Sequence, residues 1–209
     1  MSGFNDQRTP EWFAQRCGKV TASRVADICG KTKSGYSSTR ASYMAELLAE
    51  RLSGTPTQKF QSQAMMWGTE YEDEARSEYE KRTGSLVEGI GFVPHPSLQW
   101  AGASPDGLVG KNGLIEIKCP NTSTHLATLE DNEIPSKYVF QIFWQMECMG
   151  VDRQWCDFIS YDPRLPENLR LFVKRIDRDD NRITEIRNEV ILFLDEIEAK
   201  ITKLNALFK

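Results

Sequence analysis

The feature that most constrains the fold is a change of periodicity near residue 85 and a second change near residue 178. Before the first change, apolar residues recur at helical spacing, which predicts amphipathic helices. Over about 86–177 they form short alternating or apolar runs separated by Gly, Pro and Asn, a pattern typical of strands and tight turns. Helical spacing then returns in one long stretch. Helices on both sides of a run of strands indicate an α/β fold, with a central mixed β-sheet flanked by helices.

Length and repeats indicate how the chain is organised. At 209 residues and 23.9 kDa it has the size of one substantial domain. No internal repeat, low-complexity run or long linker divides it, so we expect a single domain over 1–209. Helices over about 10–84 would frame the site, the sheet core would span about 86–177, and a final helix would span about 181–207.

Cysteine usage and charge narrow the classes of protein that fit. Five cysteines without a Cys-x-x-Cys pair argue against a disulfide framework or thiolate zinc site, and for a reducing compartment. The two histidines, His95 and His125, leave little for a His-rich metal site, and we expect both in loops. A net charge of −4 gives no global attraction for nucleic acid, so DNA binding would need basic residues concentrated on one surface. With no secretory signal and no membrane-spanning stretch, we expect a cytoplasmic protein without a membrane partner.

Short-range signals predict where individual elements begin and end. A Thr-Pro-Glu start predicts a helix over about 10–17, and Thr21 is expected to cap a second helix that ends at Gly30. Thr69 and Glu72 have the spacing of a capping box, which predicts a helix that begins there. The other expected elements are a polar loop over 30–39, helices ended by Gly54, Gly84 and Gly150, and strands over 86–93, 97–100, 106–110, 114–118, 155–162 and 169–177.

The segment SPDGLVGKNGLIEIKCP (104–120) places charges where a sheet strand should be apolar. Glu116 and Lys118 lie two residues apart on a predicted strand, so their side chains leave the same face. A hairpin through the preceding Asn-Gly turn would bring Asp106 beside Glu116. Two carboxylates and the backbone carbonyl of Ile117 suit a hard divalent ion such as Mg²⁺. Lys118 would then orient or deprotonate a water, or stabilise charge on a phosphate.

Spacing alone leaves a purely structural role open for each of these groups. The Glu116–Lys118 pair fits equally well on the solvated face of a surface hairpin. Glu72 is a candidate acid, but a capping glutamate would simply bond to the backbone. Gln141 and Gln145, one turn apart in an apolar helix, would bond the sheet or reach into an active site.

A second group of residues surrounds the start of the short helix near residue 21. Arg16, Thr21 and Ser23 offer a guanidinium, two hydroxyls and exposed amide groups, which together would make a phosphate pocket. The alternative is that Thr21 only caps the helix and Arg16 is solvated.

Taken together, five segments resemble one family. In order along the chain they are RCGKVTASRV (16–25), WGTEYEDEA (67–75), GASPDGLVG (102–110), LIEIKCP (114–120) and YVFQIFWQM (138–146). Their order is similar to that of the phage-type alkaline exonucleases, the lambda-exonuclease-like or YqaJ-like viral recombinases of the restriction-endonuclease-like superfamily. The resemblance runs from about Trp12 to Asp162.

The resemblance implies a restriction-endonuclease-like core and a metal-dependent exonuclease that degrades linear duplex DNA from its 5′ ends. It implies release of 5′-mononucleotides, a 3′ single-stranded overhang for strand annealing, and two bound Mg²⁺ ions, with Mn²⁺ as an alternative. The implied metal ligands and catalytic residues are Asp106, Glu116, the Ile117 carbonyl, Glu72 and, as catalytic lysine, Lys118. The implied 5′-phosphate contacts are Arg16, Ser23 and Ser104, with Gln141 alongside and Thr21 completing the motif.

The resemblance also implies partners. These are double-stranded DNA ends, a ring-shaped homotrimer threaded by DNA, and a single-strand annealing protein, in a phage or prophage setting within a bacterial cytoplasm. An acidic chain would still hold DNA if the ring turned Lys31, Lys33 and Arg40 inward. The alternatives are an endonuclease or structure-specific resolvase on the same core, a non-catalytic DNA-end adaptor, and a metabolic α/β domain.

Overall fold

The computed structural model describes residues 7–57 and 62–207. Over these residues it has seven α-helices and ten short or medium strands, which confirms the expected mixed α/β class. No helix in these two ranges is both long and apolar enough to cross a bilayer.

The helices and strands alternate along the chain much as the periodicity predicts. The helices are α1 (Pro10–Arg16), α2 (Val25–Cys29), α3 (Ser38–Ser53), α4 (Gln63–Thr83), α5 (Thr122–Asp131), α6 (Ser136–Met149) and α7 (Asp180–Leu207). The strands are β1 (Val20–Thr21), β2 (Lys31–Thr32), β3 (Gly35–Tyr36), β4 (Val87–Glu88), β5 (Val93–Pro94), β6 (Ala101–Ala103), β7 (Gly107–Val109), β8 (Gly113–Lys118), β9 (Trp155–Tyr161) and β10 (Leu171–Asp177).

The central sheet is mixed and has five strands in the order β10-β9-β8-β7-β4. Strands β8 and β9 are parallel, and the other neighbours in this sheet are antiparallel. A smaller sheet, β1-β6-β5, lies beside it, and β2 with β3 forms a separate hairpin. The expected hairpin between 106–110 and 114–118 is confirmed, since β7 and β8 pair through a short turn.

Strand β8 is buried on both of its faces. Leu114 belongs to the larger apolar cluster, which includes buried residues of α6 and α7. Ile115 and Ile117 point the other way, into a second cluster with Ala75 and Tyr79 of α4. Because side chains alternate along a strand, Glu116 shares the face of Leu114 and projects toward α6.

Two helix starts differ from the prediction. Thr21 lies in β1 and makes no side-chain cap; a short 3₁₀ turn over 22–24 leads into α2 instead. The capping box at Thr69 is also wrong, because α4 begins at Gln63, where the Ser62 side chain accepts from the Met65 N–H. The predicted helix end at Gly84 is confirmed, with a left-handed φ of +71° that glycine adopts without strain.

Several other local expectations also change. The expected strand over 97–100 is displaced to β6, the run 86–93 divides into β4 and β5 in different sheets, and the loop over 30–39 contains β2 and β3. The sequence pattern does not predict helix α5. It carries His125, which is buried rather than in a loop, and whose ring nitrogens lie 2.7 Å from Ser160 Oγ and 2.8 Å from the Leu169 carbonyl. All five cysteines are free thiols.

Candidate active site

The predicted acidic residues meet where β8 ends and β7 begins. Gly107 pairs with Ile115, so the residue before it, Asp106, lies opposite Glu116 in the register. The Ile117 N–H donates to Oδ2 of Asp106 at 2.7 Å. This bond holds the Asp106 carboxylate beside the C-terminal part of β8, which does not pair with β7.

Glu116 is fully buried and surrounded by hydrogen-bond donors. Its side chain has no exposed surface. Nε2 of Gln141 donates to Oε1 and Nε2 of Gln145 donates to Oε2, both at 2.6 Å, and the Lys118 ammonium forms an ion pair with Oε1. Since all three partners are donors, the surroundings suit an ionised carboxylate. The surface-hairpin interpretation is therefore wrong, and the two glutamines bond the sheet at the candidate site.

Burial and crowded carboxylates together set the electrostatics of the cluster. Desolvation, and then the negative charges of Glu116 and Glu72, raise the pKa of Asp106 well above its usual range. Desolvation acts to lower the pKa of Lys118, but the carboxylates of Glu116 and Asp106 outweigh it and raise that pKa. Asp106 and Glu116 thus share one ammonium, and a further positive charge between them would be favourable.

Glu72 reaches the cluster from α4 and is not a helix cap. Its carboxylate forms an ion pair with Arg8 through Oε2, and Nη2 of Arg76 donates to Oε1 at 3.1 Å. The side chain is 15% exposed. Because its charge acts on Asp106, Glu72 lies within electrostatic reach of the other two carboxylates.

Arg16 and Ser104 form the centre of a candidate anion pocket. Nη1 of Arg16 donates to Ser104 Oγ at 3.1 Å, and Nε1 of Trp12 donates to the same oxygen at 3.0 Å. The guanidinium lies over the Trp12 ring, 3.9 Å from its centroid. Within the described residues Arg16 has no carboxylate in an ion pair, and desolvation lowers its pKa to about 10. A half-buried guanidinium that forms no ion pair with a described residue, and feels only the more distant charge of Glu50, suits an anionic ligand.

A cavity of about 680 Å³ opens beside this pocket. This volume falls within the roughly 300–1,000 Å³ typical of small-ligand sites. Three of the predicted phosphate contacts line it, namely Arg16, Thr21 and Ser23. The acidic residues of the lining are already engaged: Glu46 pairs with Arg24, and Glu50 accepts the Gly18 N–H at 2.7 Å. The cavity therefore combines available positive charge with an aromatic wall.

The donor set of the acidic cluster fits a divalent cation. The N–H and C=O of one residue point toward the same edge of a strand. The Ile117 carbonyl therefore points, like the Ile117 N–H, toward Asp106, at the edge of β8 that is open beyond the end of β7. Carboxylate and carbonyl oxygens are the ligands that Mg²⁺ prefers. Over 7–57 and 62–207, no three His, Cys, Asp or Glu side chains converge as a metal site by themselves. A bound ion would therefore depend on Asp106, Glu116, the carbonyl and water.

The remaining predicted residues lie apart from the acidic cluster. Lys31 pairs with Glu189 of α7 at 2.7 Å, and Arg40 forms a two-bond ion pair with Glu196. Lys33 is exposed in the turn between β2 and β3 and forms no ion pair with any described residue. Of these three cations, Lys33 has the charge most available to a ligand.

Sequence reasoning missed three residues that contact the candidate site: Trp12, Gln7 and Arg8. Trp12 precedes Arg16 by four residues on α1, and this spacing on one helix face was a usable signal. Gln7 donates through Nε2 to the carbonyls of Ile90 and Pro105, both at 2.9 Å. No local pattern indicates Gln7 or Arg8, because their partners lie more than sixty residues away.

Comparison with known proteins identifies the family. The profile of the YqaJ-like viral recombinase domain matches residues 11–152. The chain belongs to that family. The chain is also similar to the protein YqaJ of Bacillus subtilis (strain 168), with 27% identity over 191 residues. That alignment covers 89% of the chain but 55% of YqaJ, so the chain spans about half the length of this curated relative.

Solved structures support the same assignment. The alkaline exonuclease LHK-Exo from Laribacter hongkongensis is 51% identical, with a TM-score of 0.87 over 95% of this chain and 97% of that one. A second structure of LHK-Exo, in complex with dAMP, matches at 52% identity and a TM-score of 0.88. A phage-related exonuclease from Haemophilus somnus 129PT shares the fold at a TM-score of 0.71 and 17% identity. The family member described here is thus a homologue of an alkaline exonuclease.

Proposed function

We propose that this chain is a metal-dependent 5′→3′ exonuclease on linear double-stranded DNA. It releases 5′-mononucleotides and leaves a 3′ single-stranded overhang for recombination by strand annealing. The observation that carries the proposal is the position of the Arg16–Ser104 anion pocket, only two residues along the chain from Asp106. A terminal 5′-phosphate in that pocket would present the next phosphodiester to the acidic cluster. The homology to LHK-Exo, which was also solved with dAMP, supports a nucleotide product.

Two Mg²⁺ ions, or Mn²⁺ in their place, are part of the proposal. Asp106, Glu116 and the Ile117 carbonyl would hold one ion, and Glu72 would contact the second directly or through water. When bound, such ions supply the positive charge that stabilises developing negative charge on the phosphate and leaving oxygen. The glutamines would keep the Glu116 carboxylate in one orientation throughout.

In the proposed hydrolysis a water oxygen bonds to phosphorus, the P–O3′ bond breaks, and a proton passes to O3′. Lys118 would act on the phosphate as an ammonium, because Glu116 and Asp106 raise its pKa and hold the proton on Nζ. This favours charge stabilisation over proton abstraction as its role. Each cut would leave a new 5′-phosphate on the shortened strand, and Arg16 would capture it in turn, which gives the reaction its direction.

The test is a nuclease assay with and without Mg²⁺ on linear duplex DNA with 5′-phosphates, beside closed circular DNA. We expect Mg²⁺-dependent release of mononucleotides from the linear substrate alone. Cutting of the circle would assign the site to an endonuclease. Absence of cleavage of both substrates by folded protein would overturn the proposal in favour of a DNA-end adaptor.

We expect Arg16→Ala to lower the rate on 5′-phosphorylated ends and leave the slower rate on 5′-hydroxyl ends nearly unchanged. A charge-assisted hydrogen bond contributes about 1.5–3 kcal/mol, so the preference for phosphorylated ends should fall about 10- to 100-fold. The measurement is the ratio of kcat/KM on the two kinds of end. Arg82→Ala is the matched control, because this exposed guanidinium also bonds a neutral oxygen, the Leu171 carbonyl at 2.8 Å. A ratio of one in the native protein would remove the pocket assignment.

The ring-shaped homotrimer and the annealing-protein partner remain part of the proposal. Lys33 and Arg16, neither of which forms an ion pair with a described residue, support inward-facing positive charge on an acidic chain, since the charge of Lys31 is already matched by Glu189. Light scattering during gel filtration would give three times the 23.9 kDa chain mass for a trimer. The chain mass itself would contradict the ring.

A further inference from the structure

The short segment before α1, Gln7 and Arg8, touches both sides of the candidate site. Gln7 uses its side-chain NH₂ group on two carbonyls at once, those of Ile90 and Pro105, at 2.9 Å each. Arg8 forms the ion pair with Glu72. These are long-range contacts, because the partners are 64 to 98 positions apart along the chain.

The Pro105 contact bears directly on Asp106. The Pro105 carbonyl belongs to the planar peptide unit that ends at the Cα of Asp106. A donor that fixes this carbonyl therefore fixes the backbone from which the Asp106 side chain projects. The Ile117 N–H fixes the other end of the residue, at the carboxylate.

The backbone at Arg8 indicates that the segment is held in place. Arg8 has φ of +66°, a left-handed conformation that is uncommon for a residue other than Gly, Asn or Asp. Such a conformation persists where its surroundings determine it, and here the two Gln7 bonds and the Glu72 ion pair lie on either side. The Thr9 side chain then caps α1 by accepting the Trp12 N–H at 3.2 Å.

From these contacts we propose that Gln7 is a positioning residue for the cleavage reaction, acting through the Pro105–Asp106 peptide. Its two hydrogen bonds set the distance between Asp106 and Glu116, and hence how well this pair holds a divalent ion. The inference rests on the proposed nuclease function, but it concerns the assembly of the site rather than the identity of the substrate.

The test compares Gln7→Met with the native chain. Methionine has nearly the same length and no donors, so the chain keeps its packing but loses both bonds. A displacement of about 1 Å at a reacting group can change a rate 100-fold, so we expect kcat to fall about 10- to 100-fold while KM for DNA ends stays within about twofold. The midpoint Mg²⁺ concentration in a thermal-shift titration, which needs no turnover, should rise severalfold. Gln7→Glu, which places acceptor oxygens against two carbonyls, should be worse on both measures.

The control is Gln154→Met. The Gln154 amide also donates to a backbone carbonyl, that of Val151 at 2.6 Å, but it lies at the opposite end of β8 from Lys118, and its variant should match the native chain. If the native chain is active and Gln7→Met has the same kcat and the same Mg²⁺ midpoint, the positioning role is overturned. If the native chain is stabilised by Mg²⁺ but never cuts DNA, and Gln7→Met weakens that stabilisation, the nuclease function is overturned and the positioning role stands. A native chain that neither cuts nor is stabilised would overturn both.

Discussion

Lys118→Ala should nearly abolish cleavage, with a loss of about 10²- to 10³-fold in rate, while leaving the affinity for DNA ends nearly native. The side chain meets the buried Glu116 carboxylate and lies 5.2 Å from the Tyr138 ring centroid, so its removal takes away the one ammonium that Asp106 and Glu116 share. Loss of a single charge-stabilising donor in an active site typically lowers kcat about 10²- to 10³-fold. The end-binding pocket around Arg16 contains no part of Lys118, so binding measured with Ca²⁺ should persist.

Two comparisons separate chemistry from folding in this experiment. Lys137 lies 4.7 Å from the same Tyr138 ring but is exposed and makes no ion pair with any described residue, so Lys137→Ala should cleave normally. Lys118→Arg keeps the positive charge beside Glu116 and should melt close to the native protein, although its larger head group would not occupy the same position. Near-native turnover by Lys118→Ala would show that this lysine is not part of the reaction.

The sequence predicts those parts of the site that depend on local pattern. Alternation along 114–118 places Glu116 and Lys118 on one face, and the hairpin brings Asp106 opposite Glu116; the register confirms both. The turn itself lies one residue earlier than the Asn-Gly pattern predicts, at 110–112, because Gly113 already pairs with Val109 as the first residue of β8. Helices α6 and α7 are also found where apolar spacing predicts them. These features need only neighbours in sequence, and strand or helix periodicity determines them.

The parts that sequence could not predict depend on partners distant in the chain. Thr69 and Glu72 have the spacing of a capping box, but the helix begins earlier, at the cap residue Ser62. Glu72 therefore lies inside α4 and its side chain faces the site instead of capping the helix. Helix α5 has few apolar residues, and its buried face consists of His125 and Thr128, which no hydrophobic pattern indicates. The sequence leaves the role of Gln145 open for a similar reason: a buried amide needs a partner, and that partner, Glu116, lies 29 residues away.

Asp106→Asn should have opposite effects on activity and on stability. Cleavage should be lost, because the asparagine is neutral and is a poor ligand for a divalent ion. In the metal-free protein, however, the melting temperature at pH 8 should rise, since the substitution removes the cost of burying the Asp106 charge and its repulsion by Glu116 and Glu72. The rise would be about 2–4 °C for each kcal/mol of repulsion relieved. Melting in EDTA measures it, with the exposed Asp195→Asn of α7 as a matched control expected to change little.

The pH dependence of the melting temperature tests the same prediction in a second way. The pKa of Asp106 is raised in the folded state, so between the ordinary aspartate value of 3.8 and the raised value the folded chain binds the extra proton. The contribution of Asp106 to stability is therefore present at low pH and is lost as the pH rises through the folded pKa. In EDTA the native protein should lose stability over that window relative to Asp106→Asn, and Mg²⁺ should restore it to the native protein alone. A variant that is less stable than the native chain at pH 8 in EDTA would mean that the cluster is not under repulsion, and the argument for a cation between Asp106 and Glu116 would fall with it.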